Sequence, residues 1–155
     1  MEEHKRSINI LNELLEKNYD AEKGYRSAAE NVKNSRLSNF LLQNADIRQG
    51  FAIDIAEEIL DLGGKPISDT SIMSELHRAW INFKSEITAE NDEDAVLKEC
   101  IRGEEAALKD YNKALKSKSL DDSTEVLLEE QRAQIVLAIS ELESLEEEAG
   151  AGEVL

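Results

Sequence analysis

The chain has 155 residues, enough for one domain with a sizeable core, and its 34 Asp and Glu against 18 Lys and Arg leave a net charge of -16. That charge argues against nucleic acid and anionic membrane surfaces as partners, because like would meet like. One cysteine, Cys100, permits no internal disulfide, and two widely separated histidines, His4 and His77, exclude a Cys/His zinc site, so any metal would be held mostly by carboxylates.

The first helix is predicted over about 4–33, where Leu11, Leu15, Asn18, Glu22, Tyr25, Ala29 and Val32 recur at alternating steps of four and three, the seam of a bundled helix. A second runs from about 36 to 62 with Leu37, Leu41, Asn44, Arg48, Phe51 and Ile55 on one face, and Gly63, Gly64 and Pro66 end it. Residues 63–92 form a long crossover containing a short helix from about 71 to 87, on which Ile72, Leu76, Trp80, Phe83 and Ile87 share a stripe; His77 and Trp80 are its expected anchors on the bundle. Asn and Asp caps then introduce a third long helix, about 93–116, with Leu97, Cys100, Glu104, Ala107, Tyr111 and Ala114 inward, and a last one over about 122–147. Residues 148–155 read as a disordered acidic tail. Two hairpins joined by one long crossover make an all-α, ferritin-like antiparallel four-helix bundle, a single domain over 1–147. No apolar run approaches the roughly 20 residues of a bilayer span, and the N-terminus mixes charge with periodic apolars, so the expected location is cytoplasmic.

Three stretches carry a family resemblance: "LNELLEKNYDAEKGYRSAAENV" at 11–32, "LHRAWINFKSEIT" at 76–88 and "LKECIRGEEAALKDYNKAL" at 97–115. Through them the chain resembles the ferritin-like bacterial bundle proteins catalogued as domain of unknown function 2383. The resemblance spans about residues 8–145 and implies the same fold and a bacterial source, without an activity. Around Ile139 the chain has "LAISEL", where the resemblance leads one to expect a histidine.

The chemistry hinges on polar residues in apolar seams, since an unpaired carboxylate inside a bundle costs several kcal/mol. One account makes them a buried polar layer of Asn18, Glu22, Tyr25, Arg48, Glu104, Gln131 and Gln134. With the first turn centred near Ser35, Glu22 and Arg48 come level and can pair. The other makes Glu22 and Glu104 metal ligands, for iron or manganese. A di-iron bundle needs Glu-x-x-His on each of the two remaining helices, and "DIRQGF" and "QRAQIV" stand there instead, so the first account is preferred. No catalytic residue is assigned and no cofactor is required. Cys100 is expected as a small buried hydrophobe. The expected role is a non-enzymatic structural, interaction or stress-related protein with a degenerate metal site; a carboxylate-bound metal protein is the alternative, and self-association or a protein partner is open to both.

Overall fold

The computed structural model describes residues 2–68 and 93–154. The crossover helix expected at 71–87, with His77 and Trp80, lies outside the described residues. Among those described there are four helices and no strand: α1 (Glu2–Glu30), α2 (Ser35–Asp61), α3 (Glu93–Leu115) and α4 (Asp122–Val154). α1 packs chiefly on α2 and α3 chiefly on α4, while α1 also meets α3 and α2 meets α4. This is the expected pair of antiparallel hairpins.

Local chemistry sets the helix ends. Asn34 caps α2, its extended backbone turning the side chain to accept from the Leu37 amide at 3.1 Å, and the Ser38 hydroxyl ties the turn to the Ala29 carbonyl at 3.0 Å. At the other end Gly63 adopts φ 83°, the left-handed conformation that costs a side-chain-bearing residue about 1 kcal/mol. This lets Gly63 N–H donate to Leu60 O at 3.0 Å and Gly64 N–H to Ile59 O at 2.8 Å, the paired bonds of a Schellman stop. The departing chain is held against α1, where the Asn12 amide donates to Lys65 O at 3.1 Å and accepts from Ile67 N at 3.0 Å. α4 continues to Val154, past the boundary at 147 that composition suggests. Ala and Glu are strong helix formers, and here they carry the helix through Gly150 and Gly152.

The apolar core comes in two parts. One gathers Ala28, Leu37, Leu41, Val96, Leu97 and Leu142; the other gathers Leu11, Leu15, Phe51, Ile55, Leu128 and Ile135. Each fully buried Leu or Ile contributes about 1.5–3 kcal/mol. Between the two lies a polar belt.

Candidate functional site

The belt is built from inward positions of all four helices: Asn18 and Tyr25 of α1, Arg48 of α2, Glu104 and Tyr111 of α3, and Gln131 of α4, all buried. It closes on itself. Arg48 donates through one terminal nitrogen to Asn18 Oδ1 at 2.5 Å, and Asn18 Nδ2 lies 3.0 Å from the Tyr111 hydroxyl. That hydroxyl donates to Gln131 Oε1 at 2.6 Å, and Gln131 Nε2 donates to the Phe51 carbonyl at 3.3 Å, one turn along α2 from Arg48. A branch leaves the ring at Arg48, whose other terminal nitrogen forms an ion pair with Glu104 Oε1, and the Tyr25 hydroxyl donates to Glu104 Oε2 at 2.8 Å. The guanidinium also sits over the Phe51 ring, 5.7 Å from its centroid.

Burial acts on Arg48, Tyr25 and Tyr111. It pulls the Arg48 pKa down, but the Glu104 charge, aided by Tyr111 and Tyr25, more than offsets it and leaves the guanidinium above its ordinary value. Burial pushes Tyr111 up to about 12, and burial with the nearby Glu104 charge holds Tyr25 well above the ordinary phenol range. Cys100, one turn before Glu104, is likewise pushed up by burial and carboxylate neighbours, so it stays a protonated, inert thiol. A pH prediction follows from the tyrosines. Unfolded phenols ionise near pH 10, so the unfolded chain releases these protons first; the stabilisation is complete below about pH 10 and is lost as pH rises through 12. In an alkaline titration followed by near-ultraviolet absorbance and circular dichroism, Tyr25 and Tyr111 should ionise only together with loss of the helical signal. Ionisation of both in a chain that is still helical would contradict the belt.

Two expectations need correction. Glu22 does not pair with Arg48: it stands at the edge of the bundle, its side chain 16% exposed, and accepts from Arg26 one turn later at 2.9 Å, while Arg26 also reaches Asp46 of α2. The cause is register. α1 ends at Glu30 and α2 starts at Ser35, so the turn centres between Val32 and Lys33, and Arg48 comes level with Asn18. Gln134 is exposed rather than in the layer, because the inward face of α4 runs through Leu128, Gln131, Ile135, Ala138 and Leu142, and Gln134 sits on its shoulder. Of the two glutamates weighed as metal ligands, Glu104 is bonded to Arg48 and Tyr25, and Glu22 to Arg26.

Sequence reasoning missed two clamps at the far end. The Asp121 carboxylate takes the His4 ring nitrogen at 2.9 Å and the Ser7 hydroxyl at 2.9 Å, tying the start of α1 to the α3–α4 turn. Glu58 of α2 accepts from Ser123 and Thr124 of α4, both at 2.7 Å. The only hint in the sequence was the Asp-Asp-Ser-Thr cap itself.

A cavity of about 110 Å³ opens between α2 and α4, with Arg48, Glu104 and Phe51 in its wall and Gln43, Gln134 and Glu141 around it. It gives the ion pair a side entrance. Such a bundle, with polar residues at mid-height between apolar layers, defines the ferritin-like class. Within it, the chain belongs to the family described as "Domain of unknown function (DUF2383)", whose model matches residues 6–117. Among solved structures it is similar to a ferritin-like, diiron-carboxylate protein from Bacillus anthracis str. Ames, with TM-score 0.71 and 24% identity over 94% of this chain and 99% of that one. It is also similar to a dodecameric thioferritin, the bacterioferritin-related protein from Bacteroides fragilis, with TM-score 0.75 and 20% identity over 96% and 89%. At these identities the likeness shows the fold alone. No curated protein matches the sequence.

The centre does not fit a carboxylate-bridged metal pair. Of the donors such a site needs, the belt offers one carboxylate, Glu104, with a permanent cation bonded to it. Among the described residues no group of three or more His, Cys, Asp and Glu side chains is placed to hold a metal ion.

Proposed function

We propose that this chain is a metal-independent member of the ferritin-like class, a structural or interaction protein and not an enzyme, in which an internal ion pair stands where related bundles carry chemistry. The observation that supports it is the buried bond between Arg48 and Glu104, both about 3% exposed. A guanidinium already neutralises the carboxylate, and its charge repels an incoming cation. Buried ion pairs seldom add net stability over apolar packing, so the return lies in specificity: the ring of bonds accepts only one register of the four helices. The dodecameric neighbour supports self-association as one form of the interaction role.

A second reading, iron or manganese binding, draws support from the diiron-carboxylate neighbour. It requires Arg48 to leave Glu104. Elemental analysis and thermal melts separate the two. Protein purified with and without added iron or manganese should carry well under one metal per chain and melt at the same temperature. Stoichiometric metal, lost in Glu104→Ala together with the gain in melting temperature, would favour the second reading.

A further inference from the structure

We infer that the cavity between α2 and α4 is a binding site for a small neutral molecule carrying a primary carboxamide. Two buried side chains in its wall, Asn44 and Arg48, have polar atoms that the protein leaves unbonded. Asn44 donates through Nδ2 to the Phe40 carbonyl at 3.2 Å, and nothing donates to its Oδ1. Arg48 gives one N–H to Asn18 and one to Glu104, so the remaining N–H groups of its five-donor guanidinium, that on Nε among them, are unused. Among the described residues, Ser117 Oγ is the only side-chain nitrogen or oxygen sealed from solvent without a partner. The Asn44 oxygen and Arg48 Nε therefore open onto accessible space, and the space that both side chains line is this cavity.

An acceptor and a donor thus stand one helical turn apart, about 5–6 Å between Cβ atoms, a separation that the oxygen and nitrogen of one amide group can bridge. The amide oxygen accepts from the Arg48 guanidinium, and an amide N–H donates to Asn44 Oδ1. A hydroxyl carries donor and acceptor on one atom and cannot span the pair. Charge excludes the ionised relatives of an amide: a carboxylate would lie against Glu104, with Glu141 also in the wall, and an ammonium would lie against the guanidinium. A neutral guest leaves the ion pair as it is. Phe51, Ile135 and Ala138 supply an apolar wall for a short carbon tail. Size sets the limit, for a dry cavity of about 150 Å³ holds benzene, so one of about 110 Å³ takes roughly five non-hydrogen atoms. That is propionamide, or the amide end of a longer molecule that leaves through the opening between α2 and α4.

The site goes beyond the structural role proposed above and shares with it only the placement of Arg48. In chelator-treated full-length protein followed by nitrogen–proton NMR, propionamide should shift the Asn44 side-chain amide and Arg48 Nε–H signals saturably. The expected Kd is about 1 mM, which roughly five well-placed atoms can supply. Propionate, propylammonium and propanol should each bind about tenfold more weakly or worse. Asn44→Leu, which removes the acceptor at similar volume, and Ala138→Leu, which fills the cavity, should each weaken propionamide by about tenfold or more with unchanged helical signal. The comparison among ligands uses the parent chain, so it stands even where a substitution unfolds the bundle. No saturable shift at about a hundred times that concentration overturns the inference. So does equal binding of propionate or propylammonium, and so does propionamide binding that survives both substitutions. Such a failure leaves the reading of the ion pair standing, because stoichiometric metal, not amide binding, decides that reading.

Discussion

Replacing Arg48 with Ala should destabilise the protein by about 3–5 kcal/mol, the cost of leaving a buried carboxylate without its counter-charge. Glu104 would keep only the Tyr25 hydroxyl, and Asn18 would lose the donor on its oxygen. Glu104→Ala should cost a similar amount, for it strands the guanidinium. Changing both at once to apolar residues of similar volume, Arg48→Met with Glu104→Leu, should cost far less than the two single losses added together. The residue of that cost comes from the Asn18 oxygen and the Tyr25 hydroxyl, at about 1–3 kcal/mol for each unsatisfied buried group. Adding Tyr25→Phe should therefore recover part of it. Urea unfolding with an unchanged dependence on denaturant gives these numbers directly. An Arg48→Ala variant within a few tenths of a kcal/mol of the parent, or strictly additive losses, would show that the two residues do not act as a pair.

The second large effect is expected at Asn18, where two bonds of the ring and one to its own helix meet. Its side chain donates to the Leu14 carbonyl at 2.8 Å, lies 3.0 Å from Tyr111 and accepts from Arg48. Asn18→Leu keeps the volume but removes a bond to a charged group, about 1.5–3 kcal/mol, and unsettles the Tyr111 hydroxyl, so a total of about 2–4 kcal/mol is expected. Tyr111→Phe should cost less, because it removes only bonds between neutral groups and leaves those of Arg48 in place. The ring also selects register, so the Asn18→Leu chain should show doubled or broadened amide resonances for α1 and α2 where the parent shows one set. A variant that loses stability yet keeps one sharp set would separate the energetic role of the ring from the selective one.

What could be read from the sequence was whatever repeats with the helix period. Leu11, Leu15, Asn18, Tyr25 and Ala29 could be placed inward by counting, as could Arg48 and Glu104, because a bundled helix alternates steps of four and three wherever it packs. The Gly63-Gly64 pair signalled its stop for reasons local to a few atoms, while the Asn34 cap went unread. Level was harder to read than face. Placing the first turn near Ser35 instead of between Val32 and Lys33 was enough to exchange Asn18 for Glu22 opposite Arg48. The ion pair itself crosses from α2 to α3, and turn geometry within one hairpin says nothing about how two hairpins slide on one another. Gln131 and Gln134 differ by less than one turn, so only the packed neighbours tell the inward one from its shoulder. His4 and Asp121 stand at opposite ends of the sequence, and no period connects them.

On this reading Arg48 holds the place a metal would need. Crystals grown in excess manganese, with anomalous scattering recorded at the metal edge, are the sharpest test. No anomalous peak should appear within the belt, and the Arg48 guanidinium should lie within hydrogen-bonding distance of the Glu104 carboxylate. A manganese peak on Glu104 with Arg48 swung away toward the opening between α2 and α4 would contradict it.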